Sequence, residues 1–178
     1  MEEIARMISQ AIFTGTCVFV PVLFILHIFE VKPPLLLNST LILAVNYTLL
    51  LGSLIFIAEM FIKIPIQYYS AGEYGRYTIA NRFFGPFWIY FWLLGPGPQW
   101  LLPQILWIRK FRSSIICSAM IVCIWVIMFT AVLFLTMHLE SSFSVRITLN
   151  IYLDIVIYAV IISIVYIIVN RKVNRVKS

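Results

Sequence analysis

Two carboxylates, Glu59 and Asp154, stand inside apolar runs long enough to be membrane helices. Ionisable groups at membrane depth are costly, and they default to functional candidates. Glu59 is placed to accept a proton or bind a ligand, because a carboxylate in a partly apolar site can serve as a base. A plainer role is also open. Lys63 follows at i+4, with the acid first, which is the better order for a neutralising pair on a helix. At about 100° per residue, Thr48, Gly52, Glu59 and Lys63 fall on one stripe. Small and polar residues on one stripe suggest a helix–helix face. Asp154 lies one turn inside its helix, where it could snorkel to the interface or cap.

A second constellation is aromatic. Four of the five tryptophans, Trp88, Trp92, Trp100 and Trp107, fall in one short stretch with Tyr90. That exceeds an interfacial aromatic belt. It would suit a wall for a flat apolar ligand such as a quinone, with Gln99 and Gln104 as hydrogen-bond donors. It would equally suit aromatic packing around a broken helix. Histidines offer less. His27 and His138 fall at opposite ends of their helices, so axial ligation of one haem within the chain is disfavoured. Cys17, Cys117 and Cys123 show no CxxC spacing and read as small buried hydrophobes. No HExxH, Walker A, GxGxxG or GxSxG pattern occurs, so hydrolase and nucleotide-binding readings lack support.

The elements that position these groups follow from hydropathy. The chain of 178 residues is 62% hydrophobic and only 11% charged, against 45–50% apolar in typical soluble domains. It reads as one all-α integral membrane domain. A helical span needs about 20 apolar residues. Five segments qualify, at about 5–29, 40–63, 82–108, 114–138 and 147–169. Pro33-Pro34 ends the first helix, Asn38-Ser39-Thr40 caps the second, and Pro65 stops it. Ser70-Ala71-Gly72-Glu73 makes a turn. Gly95-Pro96-Gly97-Pro98 interrupts the third helix. Irregular backbone at that depth is tolerated only inside protein or beside a watery cavity. The start, MEEIARM, lacks a basic n-region, so the first apolar run is expected to be retained.

The net charge of +6 does not point to nucleic acid, because the cations gather at helix ends. Arg109, Lys110 and Arg112 form one cluster, and Arg171, Lys172, Arg175 and Lys177 another. With both on the cytoplasmic side the N-terminus is outside. Eight basic residues then face inward and five outward, in the positive-inside sense. Arg76 and Arg82 lie on the outer side and call for a partner.

The order Glu59, then Tyr68-Tyr69-Ser70-Ala71-Gly72, Asn81-Arg82-Phe83-Phe84-Gly85-Pro86, Pro103-Gln104 and Arg109-Lys110-Phe111-Arg112-Ser113 resembles the NrfD-like, polysulfide-reductase-type membrane subunits. The likeness spans Glu59–Ser113 and is nearest to the larger such subunit of alternative complex III, a quinol:cytochrome c oxidoreductase. The resemblance implies a haem-free helical subunit of a respiratory complex in a bacterial inner membrane. It implies quinone or menaquinone nearby, and iron–sulfur and cytochrome subunits docked on one face. In such a subunit any chemistry would be proton release from quinol, with Glu59 as the acceptor and Arg82 tuning it. Trp88, Trp92, Gln99 and Gln104 would border the quinone, and Tyr69 and Arg76 would meet the partner. Three departures stand out. The family has about twice as many helices, Gly97-Pro98 replaces its Cys-Asn pair, and Val126-Ile127 replaces its Glu-Arg pair. The expectation is therefore a quinol-linked subunit with no redox centre of its own. The rivals are a structural or assembly subunit of such a complex and a small oligomeric transporter.

Overall fold

A computed structural model describes residues 2–29, 39–86, 88–89, 92, 97–139 and 151–177, with side chains at all but 2, 132–139, 151, 176 and 177 of these. Among them the regular structure is helical. The elements are α1 (Glu2–Ile28), α2 (Ser39–Ser70), α3 (Glu73–Phe84), α4 (Gly97–Leu101), a 3-10 segment (Leu102–Trp107), α5 (Arg109–Arg112), α6 (Ile115–Leu139) and α7 (Ile151–Lys177). Pro33-Pro34, Asn38, Tyr90, Gly95-Pro96, Lys32 and Arg146 lie outside the described residues.

Among the described residues three helices are long and apolar enough to cross a membrane: α1, α2 and α7. Helix α6 is 25 residues long and is also mostly apolar in sequence. Contacts fix the relative directions. Gln10 of α1 donates to Asp154 of α7, and Gly15 abuts Tyr158, so these two helices run parallel. Gly52 of α2 meets Ile12, and Val20 shares a cluster with Val45, so α2 runs opposite to α1. Asn46 pairs with Ser118, and Leu49 packs with Ile121, so α6 runs with α2.

Between lipid-bathed helices there is little hydrophobic drive to associate, and close backbone approach matters instead. Gly15 and Gly52 supply it. A Cβ on Gly52 would stand 2.5 Å from Ile12 Cγ2, and one on Gly15 would fall into the Tyr158 ring. The stripe through Thr48, Gly52 and Glu59 is thus a packed face, and all three residues are buried.

The expected stop at Pro65 does not occur. Helix α2 continues to Ser70 with Pro65 inside it. Proline there removes one bond to the Phe61 carbonyl. Both residues are exposed. The connection left between the expected second and third spans, 64–81, is mostly helix. Glu73 sits in the first turn of α3 and Arg82 in its last, each favouring its end of the helix dipole. Gly85 closes the helix with its N–H on the Asn81 carbonyl, and Pro86 follows.

The expected third span, 82–108, is not one helix. After the described end of α3 the chain resumes helix at Gly97, tightens into 3-10 geometry where Pro103 withholds an N–H, and kinks at Ile108, whose backbone is extended. Helix α5 then turns through Ser113 into α6. The last predicted helix also runs further, to Lys177 rather than 169.

Candidate functional site

The broken segment is held against α2 by two polar residues that the chemistry-bearing motifs did not single out. Asn46 is fully buried. Its amide donates to the Arg112 carbonyl at 2.7 Å and, more weakly, to the Ser114 carbonyl at 3.4 Å. Its own carbonyl accepts from the Ser118 hydroxyl. Asn46 thereby satisfies backbone that the α5–α6 junction leaves open. One heptad on, Ser53 donates to the Trp100 carbonyl at 3.2 Å. Asn46 and Ser53 face one way, seven apart in an apolar helix, and that spacing was their sequence signal.

Gln104 completes this arrangement. Its amide donates to Ser53 Oγ at 2.7 Å and to the Trp100 carbonyl at 3.0 Å, and its oxygen accepts from Trp107 Nε1 at 2.9 Å. Both ends of the side chain are therefore engaged within the protein. Gln99 is half-buried on α4.

The aromatic residues form a continuous relay of edge contacts. Phe83 meets Trp92 at 6.2 Å, Trp92 meets Trp100 at 5.6 Å, and Trp100 meets Phe56 at 6.1 Å. Phe56 meets Phe13 at 5.6 Å, and Phe13 meets Trp125 at 5.1 Å. Edge-to-face pairs of this kind add to packing. Trp125 further donates its indole N–H to the Pro98 carbonyl at 3.2 Å, tying α6 to the start of α4. Trp88 and Trp107 stand exposed.

No family model, curated protein or solved structure matches the chain. Its site therefore rests on geometry alone.

Glu59 is buried, with its Oε1 bonded to Lys63 Nζ, and its Oε2 is buried with no hydrogen-bond partner among the described residues. Arg82, expected beside it, is exposed on α3 and is not among its partners. Asp154 is buried and accepts from Gln10 Nε2 at 3.3 Å, so it links α7 to α1. Tyr69 is exposed and packs edge-on to Tyr68. Arg76 lies 6.0 Å from the Tyr68 ring centroid, and its Nε donates to the Ala71 carbonyl. The structure thus brings Trp92, Trp100 and Gln104 into one region and pairs Glu59 with Lys63. It gathers Tyr68, Tyr69 and Arg76 at the α2–α3 bend.

Among the described residues no three His, Cys, Asp or Glu side chains approach one another as metal ligands would. His27 is exposed at the end of α1, and the side chain of His138 is outside the described residues. Cys17 and Cys117 are half-buried, whereas Cys123 is exposed, contrary to the expectation of three buried cysteines.

Proposed function

We propose that this chain is a membrane subunit of a quinol-linked electron-transfer complex, and that it holds partner subunits in place without performing quinol chemistry itself. The observation that carries this reading is α3. It is twelve residues long and none of them is buried. A helix that short draws most of its stability from packing on something else. Within the chain it packs chiefly on α2. Its surface offers Tyr74, Tyr77, Phe84, Arg76 and Arg82, and tyrosine, phenylalanine and arginine are enriched at protein interfaces. This arm lies within Glu59–Ser113, the segment whose order of residues resembles NrfD-like subunits.

A structural role is favoured over a catalytic one because the candidate groups are engaged inside the chain. Gln104 serves Ser53 and Trp107, and Glu59 serves Lys63. In this reading the chain crosses a bacterial inner membrane five times, with the broken segment as its third crossing. The N-terminus is outside, α3 stands on the outer face, and iron–sulfur and cytochrome subunits dock there. Quinone or menaquinone belongs to the complex.

The test is purification of the tagged chain from its native membrane in mild detergent, with partner identification and a visible spectrum. Iron–sulfur or cytochrome partners should co-purify, and Tyr74→Ala with Arg76→Ala should release them while the chain stays folded. Recovery of the chain alone, or partner retention by the double variant, would overturn the proposal.

A further inference from the structure

At the end of the bundle where α7 finishes, a groove of about 900 Å³ opens between α2, α5 and α7. Leu43, Leu51, Val165 and Ile168 line it with apolar surface. Arg109, Arg112 and Lys172 also line it, so three cations border one apolar trough. Among the described residues no carboxylate pairs with any of the three. The described acidic residues stand toward the opposite end of the bundle. Glu2 and Glu3 begin α1, Asp154 sits beside Gln10, and Glu59 and Glu73 lie on the far half of α2 and on α3. Arg112 is also held in place. Its guanidinium lies 4.7 Å from the Tyr47 ring centroid, in a cation–π contact, and its buried Nε has no acceptor among the described residues.

We infer that this groove binds one anionic phospholipid, with the phosphate on the Arg109, Arg112 and Lys172 side chains and an acyl chain against Leu43, Leu51, Val165 and Ile168. Charge complementarity selects the occupant. A cationic rim with no paired carboxylate among the described residues, beside an apolar trough in a chain with membrane-length helices, matches a molecule that is anionic at one end and hydrocarbon at the other. Basic pockets between membrane helices recognise lipid head groups in this way. The proposal requires that the chain be embedded in a membrane, and it is independent of any link to quinol.

The experiment uses the full chain, purified in mild detergent, stripped of lipid and examined by native mass spectrometry. The probes are dioleoyl phosphatidylglycerol, dioleoyl phosphatidylcholine and inorganic phosphate. One phosphatidylglycerol should bind per chain, preferred over phosphatidylcholine on the order of tenfold. Arg109→Gln with Lys172→Gln should bring that preference close to unity. These side chains are exposed, so the core is left intact. Ile168→Trp, also at an exposed position, should crowd the trough and weaken both lipids while keeping every charge. Equal binding of the two lipids would overturn the assignment, as would a preference that survives the charge variant. Displacement of the lipid by inorganic phosphate would reduce the site to a simple anion site. Undiminished binding to Ile168→Trp would place the lipid elsewhere.

Discussion

Glu59 and Lys63 decide how much chemistry this chain can be asked to do. The carboxylate side chain is 4% exposed and the lysine 22%. Breaking a buried pair from one side leaves an uncompensated charge, whereas replacing both partners is often nearly neutral. Glu59→Gln should therefore destabilise the chain by about 2–3 kcal/mol, below the full buried-pair value because Lys63 is partly exposed. Glu59→Gln with Lys63→Met should recover most of that loss in a detergent thermal-unfolding assay. If the carboxylate serves the lysine, the assembled complex carrying the double variant keeps its quinol turnover. Lost turnover in an assembled double variant would restore Glu59 as a proton acceptor. The i,i+4 spacing makes this pair legible in the sequence. Asn46 and Ser53 are harder to read. A lone asparagine or serine in an apolar helix shows that a polar partner exists but not where it lies. Here they donate to backbone carbonyls 47 to 68 residues away, and they accept from Ser118 and Gln104.

Helices α1, α2 and α7 associate where side chains are absent. Gly15→Leu should disrupt the α1–α7 contact and cost about 1–3 kcal/mol through overpacking. Gly72→Ala is the control, since a Cβ there meets nothing within 4 Å. Thermal unfolding of both variants checks the contrast, and equal effects would remove the close-approach argument. Apolar length made the long helices legible to within a few residues at most ends. It misled at Pro65, where a rule drawn from water-exposed helices predicts a stop and one lost hydrogen bond proved too little to end a long helix. It also misled at α3. That helix is too polar to register as a span, and none of its residues is buried within the chain. The segment 82–108 was legible as broken but not in form, because Pro98 and Pro103 forbid particular hydrogen bonds without dictating the geometry that replaces them.

At the scale of the whole molecule, the described carboxylates stand away from the end where the α5 and α7 cations gather. The groove brings the α5 cluster and the α7 cluster together at one end, while the α2–α3 bend lies at the other. In a variant with Cys17, Cys117 and Cys123 replaced by alanine, a cysteine at Lys110 and one at Arg175 should react with a membrane-impermeant maleimide from the same side. That side should be the cytoplasmic one. A cysteine at Tyr69 should react only from the other side. Labelling of Lys110 and Arg175 from opposite sides would require an odd number of crossings between them and overturn the five-crossing reading. The pairing of the first and last helices also bears on how the protein is made. Gln10 finds its described partner in Asp154, and Gly15 its neighbour in Tyr158, more than a hundred residues further along the chain. Helix α1 must therefore enter the bilayer with an amide and a backbone notch that nothing yet covers, and it must wait there through most of synthesis. Closure of the bundle is a late event in biogenesis, set by the arrival of α7 from the ribosome.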